Sequence, residues 1–329
     1  MVGLFSIWQN WRERRDAFRE IRRQKADLGE LAHFRFKDAM IEAQTALRGG
    51  DDRRAERLWD EAITQYPKEA TQSPLAIHVL LGLKRFDDAE ALMNKGQKER
   101  PNDIRYAVGL AQTARARGDL ELAIRRAALV RKRSQNVPEG YSIAIQSLRD
   151  LSRFAEAEVL TIQAMARVPN DVLVFMEHAR LADAQQNWEE SIDRWGAVKS
   201  RFDHSGGYMG TANAMIKLGR FDEAEVLLTQ ARTRFPTDVG PGVGLAQVAQ
   251  ARGDASEATI RWQRLAQRFP LDMVIVLLAV SNLLKLNAIE KAIELLRDAV
   301  DHFPTEPRPR TLLTEALSRL HRTDTEHSH

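Results

Sequence analysis

The sequence predicts an all-α chain, a solenoid of about eight helical hairpins with capping helices at both ends. Three observations carry that expectation. The first is a comb of prolines: Pro236, Pro270 and Pro304 stand 34 residues apart, and Pro67, Pro101 and Pro169 fall on the same teeth with 34 and then 68 between them. Gln135 and Asp203 hold the two remaining teeth, with one residue deleted before Pro236, so the register runs from about Phe36 to Pro304. Such a period belongs to paired helices that stack on their neighbours. The second is a pair of small-residue columns. Ala55, Ala89, Ala123, Ala157, Ala224, Ala258 and Ala292 stand twelve residues before the tooth, and Ala62, Gly96, Ala164, Ala231 and Ala299 stand five before it. Small side chains let helix axes approach to about 8–10 Å, where Leu would hold them apart. The third is composition: Ala, Leu, Arg and Glu are abundant, aromatics make up 7%, and the Thr, Tyr and Val runs that a sheet needs are few.

A length of 329 residues ordinarily suggests about two globular domains. Stacked repeats instead extend one continuous core, so residues 36–304 are read as a single domain. The net charge of +3 implies no polyanionic partner by itself, and the absence of cysteine excludes disulfides, thiolate catalysis and Cys-type zinc sites. The most apolar run, Met273 to Val280, is too short to span a bilayer and is expected in the core.

In chain order, residues 1–35 precede the comb and read as a basic amphipathic helix. Leu4, Ile7, Trp8, Trp11, Phe18 and Ile21 recur at helical spacing, while Arg12, Arg14, Arg15, Arg19, Arg22 and Arg23 crowd the other faces. Three roles suit it: a cap over the first repeat, an anchor on an anionic membrane surface through Trp8, Trp11, Arg15 and Arg19, or a docking helix for a partner. Its apolar stretch is broken by Gln9 and Asn10 and lacks a cationic start, so it is not expected to direct secretion. Within the repeats, Gly50, Gly118, Gly219 and Gly253 stand seventeen before the tooth and mark turns between paired helices, where a left-handed conformation favours Gly. Trp59, Trp195 and Trp262, with Met93 and Leu228 in the same column, are expected as buried wedges, each costing about 3–5 kcal/mol if cut to Ala.

Two repeats depart from the pattern. In the second, Ser73 and Pro74 delay the first helix, and Gly96 in place of Ala predicts a weak point. In the fifth, RFDHSGGY replaces the proline connection and predicts a flexible hinge from Asp203 to Gly207. After Pro304 the string TEPRPR reads as an extended link. A C-terminal capping helix is then expected over Thr311–Arg322 (within 305–322), followed by a disordered tail at 323–329.

This grammar resembles the tetratricopeptide repeat (TPR) family over about Phe36 to Pro304, most of the chain. The resemblance implies pairs of antiparallel helices stacked into a right-handed superhelical solenoid, whose first helices line a concave groove that holds peptide or protein segments. It implies binding and little more, because the family serves many functions. At the ninth place of each repeat stand Gln44, His78, Gln112, Gln146, Arg180, Asn213, Gln247 and Ser281, polar throughout. Four places earlier stand Met40, Pro74, Val108, Ser142, Met176, Met209, Val243 and Leu277, mainly apolar. Carboxamides match the donor and acceptor of a peptide backbone, and Met adapts to varied side chains. The amide column is similar in kind to the asparagine ladder of O-linked N-acetylglucosamine transferase, although a solvent-facing column would look the same. Arg105, Arg115, Arg149 and Arg180 are expected beside it, favouring an acidic segment. The Lys and Asn pattern of the family's chaperone-type carboxylate clamp is missing.

Enzyme motifs are missing as well. GPGVGL at Gly240 to Leu245 follows a proline-ended helix and not a strand, RGD at Arg117 and Arg252 lies in interhelical turns, and the histidines form no HExxH pair. Neither a catalytic residue, a metal site nor a cofactor is expected, and aromatics do not interleave with the arginines as nucleic-acid binding would require. The expected function is a non-enzymatic scaffold for protein or peptide clients, cytoplasmic or peripheral at an inner membrane. The alternative is an accessory subunit of envelope polysaccharide or glycan synthesis.

Overall fold

The computed structural model describes residues 30–304 and 306–326. Among them every regular element is an α-helix, and none is long and apolar enough to cross a membrane. The chain divides into two compact units, one ending at Gly118 and one beginning at Asp119. The first holds α1 (residues 30–49), α2 (Asp52–Gln65), α3 (Pro67–Gln72), α4 (Pro74–Gly82), α5 (Phe86–Glu99) and α6 (Ile104–Arg117). The second holds α7 (Leu120–Arg133), α8 (Pro138–Asp150), α9 (Phe154–Arg167), α10 (Val172–Ala184), α11 (Trp188–Phe202) and α12 (Ser205–Lys217). It continues with α13 (Phe221–Arg234), α14 (Gly240–Arg252), α15 (Ala255–Arg268), α16 (Met273–Lys285), α17 (Ile289–His302) and α18 (Pro307–Glu326). In this second unit α8 pairs with α9, α10 with α11, α12 with α13, α14 with α15 and α16 with α17. The first helices also pack on one another, α8 on α10, α10 on α12 and α12 on α14, which is how hairpins stack.

The sequence columns map directly onto this packing. Pro101, Pro169, Pro236, Pro270 and Pro304 lie two residues past the ends of α5, α9, α13, α15 and α17, where proline ends the hydrogen-bond ladder. All seven alanines of the first column are fully buried, and Ser191 fills the same place in the repeat that lacks one. Trp59, Trp195 and Trp262 are buried too, as are Met93 and Leu228. The Trp195 indole N–H donates to Asp183 Oδ2 at 3.0 Å and that of Trp262 to Gln250 Oε1 at 2.9 Å, so neither polar edge is stranded. Each turn column adopts a left-handed residue whether or not it is glycine: Gly50, Gly118, Gly219 and Gly253 do, and so do Lys84, Ser152, Gln186 and Asn287 at φ 58°, 57°, 56° and 59°. Asp51, Asp119 and Asp254 then cap the following helix by accepting the N–H of the third residue on, a contact worth about 1 kcal/mol each.

Arginines tie one repeat to the next. Arg85, Arg153 and Arg220 each bridge a carboxylate three residues on (Asp88, Glu156, Glu223) and one in the preceding repeat (Asp60, Glu121, Glu189). These pairs are open to solvent and fix register more than they stabilise.

Several expectations need correction. Gly96 is not a weak point: a Cβ there would lie 2.0 Å from Tyr106 Cε1, and the ring that uses this space donates its hydroxyl to the Thr71 carbonyl at 2.8 Å. The segment Asp203–Gly207 is not a flexible hinge. Asp203 takes the left-handed cap, its carboxylate pairs with Arg234, and Gly207 lets α12 approach so closely that a Cβ would lie 2.4 Å from the Lys199 backbone N. The run Met273 to Val280 is core on one side only, since Val274 and Leu278 are exposed. The short helix α3 was not expected. The C-terminal helix begins at Pro307, not after an extended link, because Pro307 and Pro309 fall in a first turn whose N–H groups have no intrahelical partner to lose. It runs on through the segment expected to be disordered as far as Glu326. At the other end α1 already includes residues 30–35, and the rest of the basic amphipathic segment lies outside the described residues.

Candidate functional site

Glu177 organises the site. It interrupts the apolar stretch of α10, points inward and is 1% exposed. A carboxylate so buried needs partners, and all three it has were marked in the sequence, two in the polar column and one beside it. Gln146 Nε2 donates to its Oε1 at 2.9 Å, Arg149 Nη1 to its Oε2 at 2.6 Å, and Arg180 Nη1 to its Oε1 at 2.5 Å. Gln146 and Arg149 are therefore held by a buried acid and are not freely exposed groove donors. The positive charge of Arg149 is also partly answered from within, by Glu177 and by Asp150, 3.5 Å away.

Beside this cluster, between α10, α11 and α12, lies a cleft of about 380 Å³. Met176 and Met209, from the apolar column, and Arg180 and Asn213, from the polar one, all line it. Trp195 and Trp188 supply aromatic surface, and Lys217 stands in the wall. Glycines hold the cleft to this shape: a Cβ on Gly210 would lie 2.1 Å from the Trp195 ring and one on Gly206 3.0 Å from Met176 Cε. Asp183, also in the lining, accepts the Trp195 indole and the Ser191 hydroxyl, which fixes the ring. The Arg180 guanidinium, 6.0 Å from the Trp195 centroid, keeps donors beyond the one on Glu177. Thioether and indole surface beside a guanidinium, an ammonium and a carboxamide suits an apolar side chain followed by a carbonyl or carboxylate.

The remaining marked residues lie elsewhere. Gln44, Gln112 and Arg115 belong to the first unit, each half-buried. Arg105, also there, grips its own helix cap, with Nε on Asp103 Oδ1 at 2.9 Å and Nη2 on Oδ2 at 2.5 Å. That fork holds the Asp103 carboxyl below its ordinary range and takes up donors expected to face the groove. Gln247 is exposed on α14. Trp8, Trp11, Arg15 and Arg19 lie outside the described residues. Sequence reading missed Glu177, Asp183, Trp188 and Lys217. Only Glu177 carried a signal, as an acid directly after the apolar run 172–176. Among the described residues no group of three or more His, Asp or Glu is arranged to hold a metal ion.

Neither a protein-family model nor a curated protein matches the sequence. Solved structures do resemble it. The crystal structure of yeast Tom70 matches 83% of this chain with a TM-score of 0.57 at 16% identity, and this chain spans 60% of that one. A tetratricopeptide repeat protein from Parabacteroides merdae matches 77% of this chain and 98% of its own, at 16% identity and a TM-score of 0.48. A thermophilic TPR protein from Thermus thermophilus matches 55% and 99%, at 20% identity and a TM-score of 0.46. The chain has a TPR-type fold.

Proposed function

We propose that this protein is a non-enzymatic scaffold that holds an extended segment of a client protein along the first helices of its repeats, with the cleft between α10 and α12 as the anchor. The observation that carries the reading is the meeting of the apolar and polar columns in one cleft, Met176 and Met209 with Arg180 and Asn213. Glu177 already neutralises part of Arg180, so the client needs one apolar side chain with a carboxylate near it, not a long acidic tract. Arg180 and Lys217 receive the carboxylate, Asn213 reads the main chain, and the methionines and indoles take the apolar group. The basic segment at the N-terminus, with Trp8, Trp11, Arg15 and Arg19, adds a contact with an anionic membrane surface in the same reading.

A library of displayed random peptides selected on the full chain tests this. Selected peptides are expected to pair an apolar residue with Asp or Glu, and to lose at least tenfold in affinity for an Asn213→Ala, Lys217→Ala variant. Each lost hydrogen bond costs about 0.5–1.5 kcal/mol, more when charged. Both residues are exposed, so the fold survives the change. Unchanged affinity in the variant contradicts the assignment of this cleft.

A further inference from the structure

The second unit builds one structural position twice, 67 residues apart, and the two copies differ in what surrounds them. In each, an arginine on a second helix (Arg194 on α11, Arg261 on α15) binds a carboxylate of the preceding hairpin, Glu158 or Glu225. It also binds a carboxylate one turn back on its own helix, Glu190 or Glu257, and a main-chain carbonyl, that of His178 or Leu245. Beside Arg194 the space is filled by Phe175, which is buried, edge-on to Phe202 at 5.0 Å and covered by Arg201 at 4.9 Å. The adjoining places carry Ile162, Met165 and Ala197.

Beside Arg261, Arg268 and Phe269 repeat Arg201 and Phe202, but the other four places have changed. Gly242 stands for Phe175, Thr229 for Ile162, Arg232 for Met165 and Arg264 for Ala197. A cleft of about 330 Å³ lies here, with Leu265 against Gly242, and Thr229, Arg232, Arg264 and Arg268 line it. The acids in its wall are already engaged: Glu225 and Glu257 hold Arg261, and Asp238 Oδ1 accepts the Gly240 N–H at 2.8 Å. Arg232 and Arg264 are exposed and pair with no carboxylate among the described residues, while Arg268 gives Nη2 to the Pro236 carbonyl at 2.7 Å and keeps its other donors. Planar guanidinium forks at the wall of a concave, hydroxyl-bearing cleft match the oxygens of a tetrahedral dianion better than a single carboxylate.

We propose that this cleft binds a phosphate monoester, carried either by a small molecule or by a phosphorylated side chain. The site is separate from the cleft between α10 and α12 and stands whether or not that cleft takes a peptide. Calorimetric titration of the full chain with inorganic phosphate, a sugar phosphate and a phosphoserine peptide, at constant ionic strength, is the test. The comparison variant is Arg232→Met, Arg264→Ala, which imports the residues of the sister position at two exposed places and leaves the packing around Arg261 alone. At least one probe is expected to bind the parent and to bind this variant at least tenfold more weakly. Binding by the sugar phosphate marks a free ligand, and binding by the phosphopeptide alone marks a modified partner; either result supports the site. If none of the three binds the parent, or the variant binds as tightly as the parent, the proposal is overturned.

Discussion

Glu177 is 1% exposed and holds two arginines and a glutamine, so substitutions around it act on folding before they act on binding. Arg149→Ala is expected to destabilise the protein by about 3 kcal/mol in chemical denaturation, the low end for breaking a buried pair because Arg180 remains. Arg149→Met together with Glu177→Met is expected to recover most of that loss, since the charge then left without its partner, on Arg180, is 40% exposed and reaches water. Additive losses would show that the two residues are not coupled. The ninth-place column revealed Gln146 and Arg180 as polar, but a column cannot tell a solvated amide from one that satisfies a buried acid in the next helix. A second set of residues makes the converse point. Lys84, Ser152 and Gln186 occupy the left-handed turn where other repeats place Gly, and only the proline comb identifies them. Replacing any one of them by Gly is expected to raise stability by about 1 kcal/mol, because the Cβ clash at positive φ is removed. A loss of stability in all three would mean that their side chains hold the turn.

At the scale of the helix, what the sequence made legible was periodic and what it hid was particular. The alanine column, the tryptophan wedges and the interhelical turns all follow from residues that recur every 34 positions, and each lies where the recurrence puts it. Gly96, Asp203–Gly207 and Pro307 looked like defects because glycine and proline weaken helices on average. Each instead answers a single neighbour: the Tyr106 ring, the Lys199 backbone, and a first turn with no ladder to break. Gly207→Ala is the sharpest test, since its Cβ would meet backbone that cannot swing aside. The substitution is expected to cost about 1–3 kcal/mol in a denaturation midpoint, as overpacking does, despite the better helix propensity of Ala. A neutral or stabilising result would restore the flexible-hinge reading.

For the molecule as a whole, repetition supplies the stacked hairpins, and both proposed sites lie in clefts between them. The cleft between α10 and α12 is bounded by Gly206 and Gly210, and the cleft beside Arg261 by Gly242, which stands where the sister position has Phe175. The fold was therefore readable from the comb, whereas the sites depended on which residues the stacked helices bring together, and sequence spacing does not encode that. The central claim is that client segments lie on the first helices at α10 and α12. Site-specific photo-crosslinking in native cells tests it most directly, with a photoreactive residue placed at Asn213 in the cleft or at Val226, exposed on α13, as the control. The account predicts a discrete crosslinked partner from position 213 and none from position 226. Crosslinks from 226 alone, or equal products from both, would contradict it.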